Sequence, residues 1–244
     1  RVRRNHSSTH LIHESLRQLL GPHVSQKGSL NSSERLRFDF SHDVPVTTDQ
    51  IFLIEQMANM HVRLNSTVVT ETMPLEEAKK TGARALFGEK YSEDVRVVKI
   101  GLEDGEYFSV ELCGGLHVRS AGEIGLVKIL GDTASSSGVR RIEAVTGNRA
   151  IQFIEDIQKI NLKSAELLNI NPSKLFDRIE GILTEKKALE DKTKKLSQDL
   201  FSQNAANNFN NSKKLASNIS FLGKIVNEVD TKDLRGFIDN IKSK

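Results

Sequence analysis

Asn5-His6-Ser7-Ser8-Thr9-His10-Leu11 stands near the start of the chain, and Glu111-Leu112-Cys113-Gly114-Gly115-Leu116-His117-Val118 answers it far downstream. His6 and His10 lie at i and i+4, which on a helix puts two imidazoles one turn apart on one face, able to grip one ion. Cys113 and His117 repeat that separation, but the glycines between them call for a turn at the end of a strand. Three histidines and a thiolate form the tetrahedral nitrogen and sulfur set that zinc takes and that magnesium and calcium do not. A His pair alone would fit an ordinary polar helix face. The chain's one cysteine, four residues before a histidine, tips the reading to metal. The fold must then bring an early helix to the end of a later strand.

Working outward, residues 5 to 20 carry Leu11, Ile12, Leu16, Leu19 and Leu20 as an apolar stripe, and Gly21-Pro22 ends that helix. A turn-rich stretch with Gly28-Ser29 and Asn31-Ser32-Ser33 leads to the alternating strand Leu36-Arg37-Phe38-Asp39-Phe40. Residues 48 to 64 predict a second helix capped by Thr48, and Val68 to Thr72 are extended. Pro74 starts a short helix through Leu75 and Ala78 that Gly82 interrupts before Ala85-Leu86-Phe87. Val95 to Gly101 and Tyr107 to Leu112 predict paired strands joined by a turn at Glu103-Asp104-Gly105, so that the second strand delivers Cys113 to the histidine helix. Ile124 to Leu130 and Val139 to Val145 extend the sheet, with a small-residue loop at Ala134 to Gly138 between them. The fold class is α+β with a mostly antiparallel sheet.

After Gly147 the pattern changes from strands to long helices, which sets a boundary: a zinc-containing domain over 1–147, a helical hairpin or coiled coil over 148–203, and an Asn-rich loop leading to a truncated further domain over 204–244. Asn171-Pro172-Ser173 breaks the helical part. Leu175, Ile182, Leu189 and Leu196 recur at one heptad position, but Lys186 and Thr193 dilute its partner, so self-association through this region and an ordinary solvated helix both stay open. Ile219 to Leu222 reads as a strand and Thr231 to Ile241 as a capped helix.

At 244 residues the chain has room for one or two domains. A hydrophobic fraction of 37% and a negative mean hydropathy leave no run long enough to cross a bilayer. A single cysteine excludes an intramolecular disulfide, and a zinc thiolate suits the reducing cytoplasm. The opening Arg1-Val2-Arg3-Arg4, with no Met and no apolar leader, reads as the start of a piece of something longer. A formal charge of +3 does not argue for nucleic acid by itself.

Four segments in one order carry a resemblance: the His6–His10 run, Gln26-Lys27-Gly28-Ser29-Leu30 followed by Arg35 to Phe40, the Cys113–His117 run, and Gly138-Val139-Arg140-Arg141-Ile142-Glu143-Ala144. Together they resemble the editing portion of alanyl-tRNA synthetases, closely over residues 1 to 148 and more weakly to the C-terminus. The resemblance implies hydrolysis of the ester in tRNA(Ala) mischarged with serine or glycine, a second filter needed because an alanine pocket rejects neither strongly by binding alone. It implies tRNA(Ala)'s acceptor end as partner and Zn2+ on His6, His10, Cys113 and His117. Alanine attachment, with its ATP and Mg2+, belongs to a region absent from these residues, which lack a glycine-rich phosphate loop.

The resemblance places Gln26 and Ser29 at the scissile ester, with Gln26 and Cys113 as catalytic candidates. Gln26 both donates and accepts, so it suits a water or the ester carbonyl, and equally a buried amide satisfying backbone. Thr9 either meets the serine hydroxyl or bonds back to its own helix turn. Asp39 is a candidate general base or a partner for Arg37. His13 is placed to support a ligand from behind. Of Arg140 and Arg141, one is expected to meet tRNA phosphates and the other to pair internally, since neighbouring strand residues face opposite ways. The family has Thr at the place of Leu116, and the lost hydroxyl bears on the edge of the site. A closed four-ligand zinc is structural and a site with an exchangeable ligand is catalytic; spacing leaves both open. Rival readings are a freestanding deacylase acting in trans, and a zinc-stabilised tRNA-binding or dimerisation module without hydrolysis.

Overall fold

The computed structural model describes residues 1–85, 91–101, 106–209, 213–216 and 219–221. The α+β architecture with antiparallel sheets read from the sequence is the one that forms. Its order is α1 (Val2–Leu20), β1 (Gln26–Asn31), β2 (Leu36–Ser41), α2 (Thr48–Arg63), β3 (Thr67–Pro74), α3 (Leu75–Lys80), β4 (Asp94–Gly101), β5 (Tyr107–Leu112), β6 (Val127–Ser136), β7 (Val139–Thr146), α4 (Asn148–Leu167), α5 (Leu175–Phe209), β8 (Lys213–Ala216) and β9 (Ile219–Phe221).

Two antiparallel sheets carry the first part of the chain, one in the order β1-β2-β7-β6 and one in the order β3-β4-β5. Helices α1 and α2 supply the apolar faces that close the core: Leu11, Ile12 and Leu16 of α1 and Ile54 and Ala58 of α2 meet Phe38, Phe40, Ile142 and Ile100, all without exposed surface. Each of the leucine, isoleucine and phenylalanine side chains contributes roughly 1.5–3 kcal/mol through burial. This packing fixes α1 against β5, and so decides where its histidines lie.

Several boundaries move. The stretch from Gln26, expected to be turns, is strand β1, an edge strand with a bulge between Gln26 and Gly28. Its polar Gln-Lys-Gly-Ser gives no alternation, and pairing with β2 supplies what propensity withholds. The cap of α2 is Thr47, whose hydroxyl accepts from the Gln50 N–H while the Gln50 side chain accepts from the Thr47 N–H, so Thr48 is the first helical residue. Ile124 falls in a 3-10 turn, Ala121–Ile124. Strand β6 runs on to Ser136, so the expected loop at Ala134 shrinks to Ser137-Gly138, with Gly138 at φ 69°.

Contacts divide the chain into Arg1–Ile160 and Asn161–Lys244. Helix α5 is continuous through Asn204 to Phe209, which were expected to be loop. Its heptad residues Leu189, Leu196 and Leu200 are exposed. The expected strand from Ile219 is β9, paired with β8. The turn at Glu103-Asp104-Gly105, Leu86-Phe87 and the helix at Thr231–Ile241 lie outside the described residues. No described helix is long and apolar enough to cross a membrane.

Candidate metal centre

Helix α1 enters the core along its Leu11-Ile12-Leu16 stripe, and this carries His6 and His10 to the end of β5. There Cys113 continues the ladder, its N–H donating to the Arg96 carbonyl at 2.9 Å. The chain then turns through Gly114-Gly115 to His117. One ligand atom each from His6, His10, Cys113 and His117 lies within 4.8 Å of every other. Sγ of Cys113 is 3.3 Å from Nε2 of His6 and 3.3 Å from Nε2 of His117. A tetrahedral zinc with ordinary Zn–N and Zn–S lengths separates such atoms by about 3.5 Å, so the donors stand close to ligating positions. Only one of the two glycines is forced: a Cβ on Gly115 would lie 2.0 Å from Cε1 of His6, whereas Gly114 faces open space.

The ring nitrogens turned away from the cluster are held. Nδ1 of His10 donates to Glu111 at 2.7 Å, and Nδ1 of His117 meets the Ser7 hydroxyl at 3.1 Å. A carboxylate can only accept, so Nδ1 of His10 carries the proton and its Nε2 faces inward, while the Ser7 hydroxyl fixes the orientation of the His117 ring; outer partners of this kind orient metal-binding histidines. Nε2 of His10 is buried and has no hydrogen-bond partner. An orphaned buried ring nitrogen beside a thiol and two further imidazoles marks the place of a positive charge, a proton or a metal cation.

Charge in the cluster points the same way. Burial raises the Cys113 thiol, but the imidazoles, His10 foremost, outweigh it and bring the thiol down to about 3. Burial lowers His10, and the Glu111 carboxylate outweighs it and lifts His10 to about 10. The thiolate is the form that binds metal, and the second proton on His10 stands where a cation's charge would. Burial likewise raises Glu111, while His10 and His13 hold it well below the ordinary carboxylate range.

Glu111 is the residue that motif reading passed over. It is 4% exposed and receives His10, His13 at 3.0 Å and Arg84 at 3.0 Å. The available signal was strand parity, since Glu111 and Cys113 two residues apart share one face. His13 thus stands behind His10, the two rings sharing Glu111. Its Nε2 is also buried without a partner.

A cavity of about 560 Å³ opens beside the cluster, walled by His6, Thr9, His10, His13, Gln26, Ser29, Arg84 and Cys113 among others. Gln26 and Ser29, far from the ligands in sequence, are therefore brought to them, and Nε2 of Gln26 donates to Oγ of Ser29 at 3.2 Å. Thr9 lines the cavity, and its hydroxyl lies 3.0 Å from both the Asn5 carbonyl and Oδ1 of Asn31.

Three expectations change. Asp39 does not line the cavity: both its oxygens accept from Arg141, at 2.7 and 2.9 Å, directly across the β2–β7 ladder, and Nε of Arg37, the partner the sequence offered, stands 3.6 Å from Oδ2. Both arginines, and not one, are paired, Arg140 with Asp132 at the end of the core face and Arg141 with Asp39. Leu116 is 60% exposed and stands outside the cavity wall, next in the chain to His117.

Residues 95–143 match the family model described as the threonyl and alanyl tRNA synthetase second additional domain. The whole chain is 45% identical to a stretch of the alanine–tRNA ligase of Ruegeria sp. (strain TM1040) and 42% identical to a stretch of that of Rhizobium johnstonii. Over 98% of its length it is 45% identical to the alanine–tRNA ligase of Saccharophagus degradans. The chain spans about 28% of the length of these relatives. The resemblance carried by four motifs thus extends along all 244 residues.

Proposed function

We propose that this chain is the editing part of an alanyl-tRNA synthetase and hydrolyses the ester that joins serine or glycine to tRNA(Ala). The observation that carries the reading is one cavity walled by all three of a metal-ready His/Cys cluster, Gln26 with Ser29, and Thr9. Alanine attachment belongs to the longer protein of which the chain would form about a quarter, as judged from its relatives.

Zn2+, when bound, would be held by His6, His10, Cys113 and His117 and would supply a fixed positive charge beside the cavity, with Lewis-acid polarisation once one of the four gave up its place. The chain's own residues do the rest. Gln26, its Nε2 committed to Ser29, keeps its carbonyl oxygen to accept from the attacking water, and the pair sets that water against the ester. Nε2 of His13 is buried in the cavity wall without a hydrogen-bond partner, and a polar group of the substrate or a water provides one. Thr9, held by Asn5 and Asn31, presents a fixed oxygen to the serine hydroxyl. Arg141, 31% exposed, stays near enough to solvent to meet RNA phosphate while bound to Asp39.

The test is deacylation of Ser-tRNA(Ala) and Ala-tRNA(Ala) by this chain, with and without a chelator, beside Gln26→Ala and Cys113→Ala. Loss of the seryl ester in preference to the alanyl ester, dependent on metal and reduced by both substitutions, supports the reading. A metal-loaded chain that binds tRNA and leaves both esters intact sinks it in favour of a binding module.

A further inference from the structure

A second cleft, of about 350 Å³, lies at the head of α1. Its walls hold the side chains of Arg1, Arg4 and Arg149 and a single carboxylate, Glu34; the others are uncharged. Glu34 pairs with Arg149, both ends being more than half exposed, and a surface pair of that kind is readily exchanged for a better anion. Arg4 lies over the turn into α4, where a Cβ on Gly147 would come 3.1 Å from Nη1. The cleft therefore gathers guanidinium groups in excess of acid, and the guanidinium fork matches phosphate oxygens two at a time.

Its place relative to the metal cavity gives the phosphate a source. Asn5 in this cleft and Thr9 in the metal cavity are one helical turn apart, on the same face of α1, and joined by the Thr9 hydroxyl. Asn31 and Ser32 at the end of β1 hold that junction, Asn31 at Thr9 and the Ser32 carbonyl at Asn5. A strand whose reactive end sits at the metal and which runs back along α1 meets the arginine cleft next. We infer that this cleft binds phosphodiester groups of the RNA whose aminoacylated end enters the metal cavity, an inference that rests on the editing reading for the identity of that RNA.

The test uses the whole chain and an uncharged RNA minihelix of the tRNA(Ala) acceptor stem, with affinity read by fluorescence anisotropy across a salt series. Arg4→Gln and Arg149→Gln should each weaken binding roughly threefold to tenfold and lower the salt slope by about one. Glu34→Gln should tighten binding, a gain that misfolding does not produce. Unchanged affinity and slope in all three variants overturn the inference. Inorganic phosphate that binds wild type while RNA affinity ignores the three variants also overturns it, in favour of a free-anion site. If the wild-type chain leaves seryl-tRNA intact but its RNA affinity follows the three variants, the cleft stands and the editing reading falls. The reverse pattern does the opposite.

Discussion

Gly115 sets how closely two distant segments approach. A methyl group there overlaps the His6 imidazole, so Gly115→Ala should expel one ligand and cut bound zinc, measured by metal stoichiometry after dialysis, while Gly114→Ala keeps it. Retention of full zinc by Gly115→Ala would mean that His6 is no ligand. Cys113 gives the corresponding chemical test. With its thiol near 3 in the metal-free cluster, the thiolate is fully formed by pH 5 and does not grow at higher pH. Iodoacetamide alkylation of metal-free protein should therefore stay level between pH 5 and 8, where an ordinary thiol speeds up about a thousandfold. Added zinc should block it. A rate that climbs with pH contradicts the depressed thiol.

Secondary elements follow pattern where a face is buried and local chemistry where it is not. The α1 stripe, the α2 stripe and the β4–β5 pair were legible because their periodicities of 3.6 and 2 match a single covered face. β1 was not, because a polar edge strand has no such face. The start of α2 shows the local side: Thr47 and Thr48 both look like caps, and only the reciprocal bonds with Gln50 distinguish them. Thr47→Ala should cost about 1 kcal/mol in chemical denaturation and Thr48→Ala much less. Equal losses would remove Thr47 from the capping role.

Across the whole molecule, the cluster ties the first helix to a turn more than a hundred residues later, so a bound metal acts as a cross-link between α1 and β5. A ligand that binds the folded state alone stabilises it, by about 2.7 kcal/mol when present at a hundred times its Kd. Chelation should lower the melting temperature and raise amide exchange in α1 and across Cys113 to His117, while exchange in α5 stays as it was. Identical exchange maps with and without chelator would remove the metal from the fold's support.

The sequence by itself picked out His6, His10, Cys113 and His117 as one metal-ready set, and with it the α+β class and the likeness to alanine–tRNA ligases, because side-chain chemistry, apolar periodicity and motif order are local properties that residue types express directly. Only the tertiary structure decided that Glu111 anchors two histidines, that Asp39 is claimed by Arg141 away from the cavity wall, and that Arg140 is paired as well. Those outcomes depend on which strands lie side by side: β2 against β7 puts Asp39 opposite Arg141, and α1 against β5 puts His10 and His13 over Glu111. A charged residue's partner is set by register and packing between segments far apart in the chain, and spacing within any one segment carries no record of it.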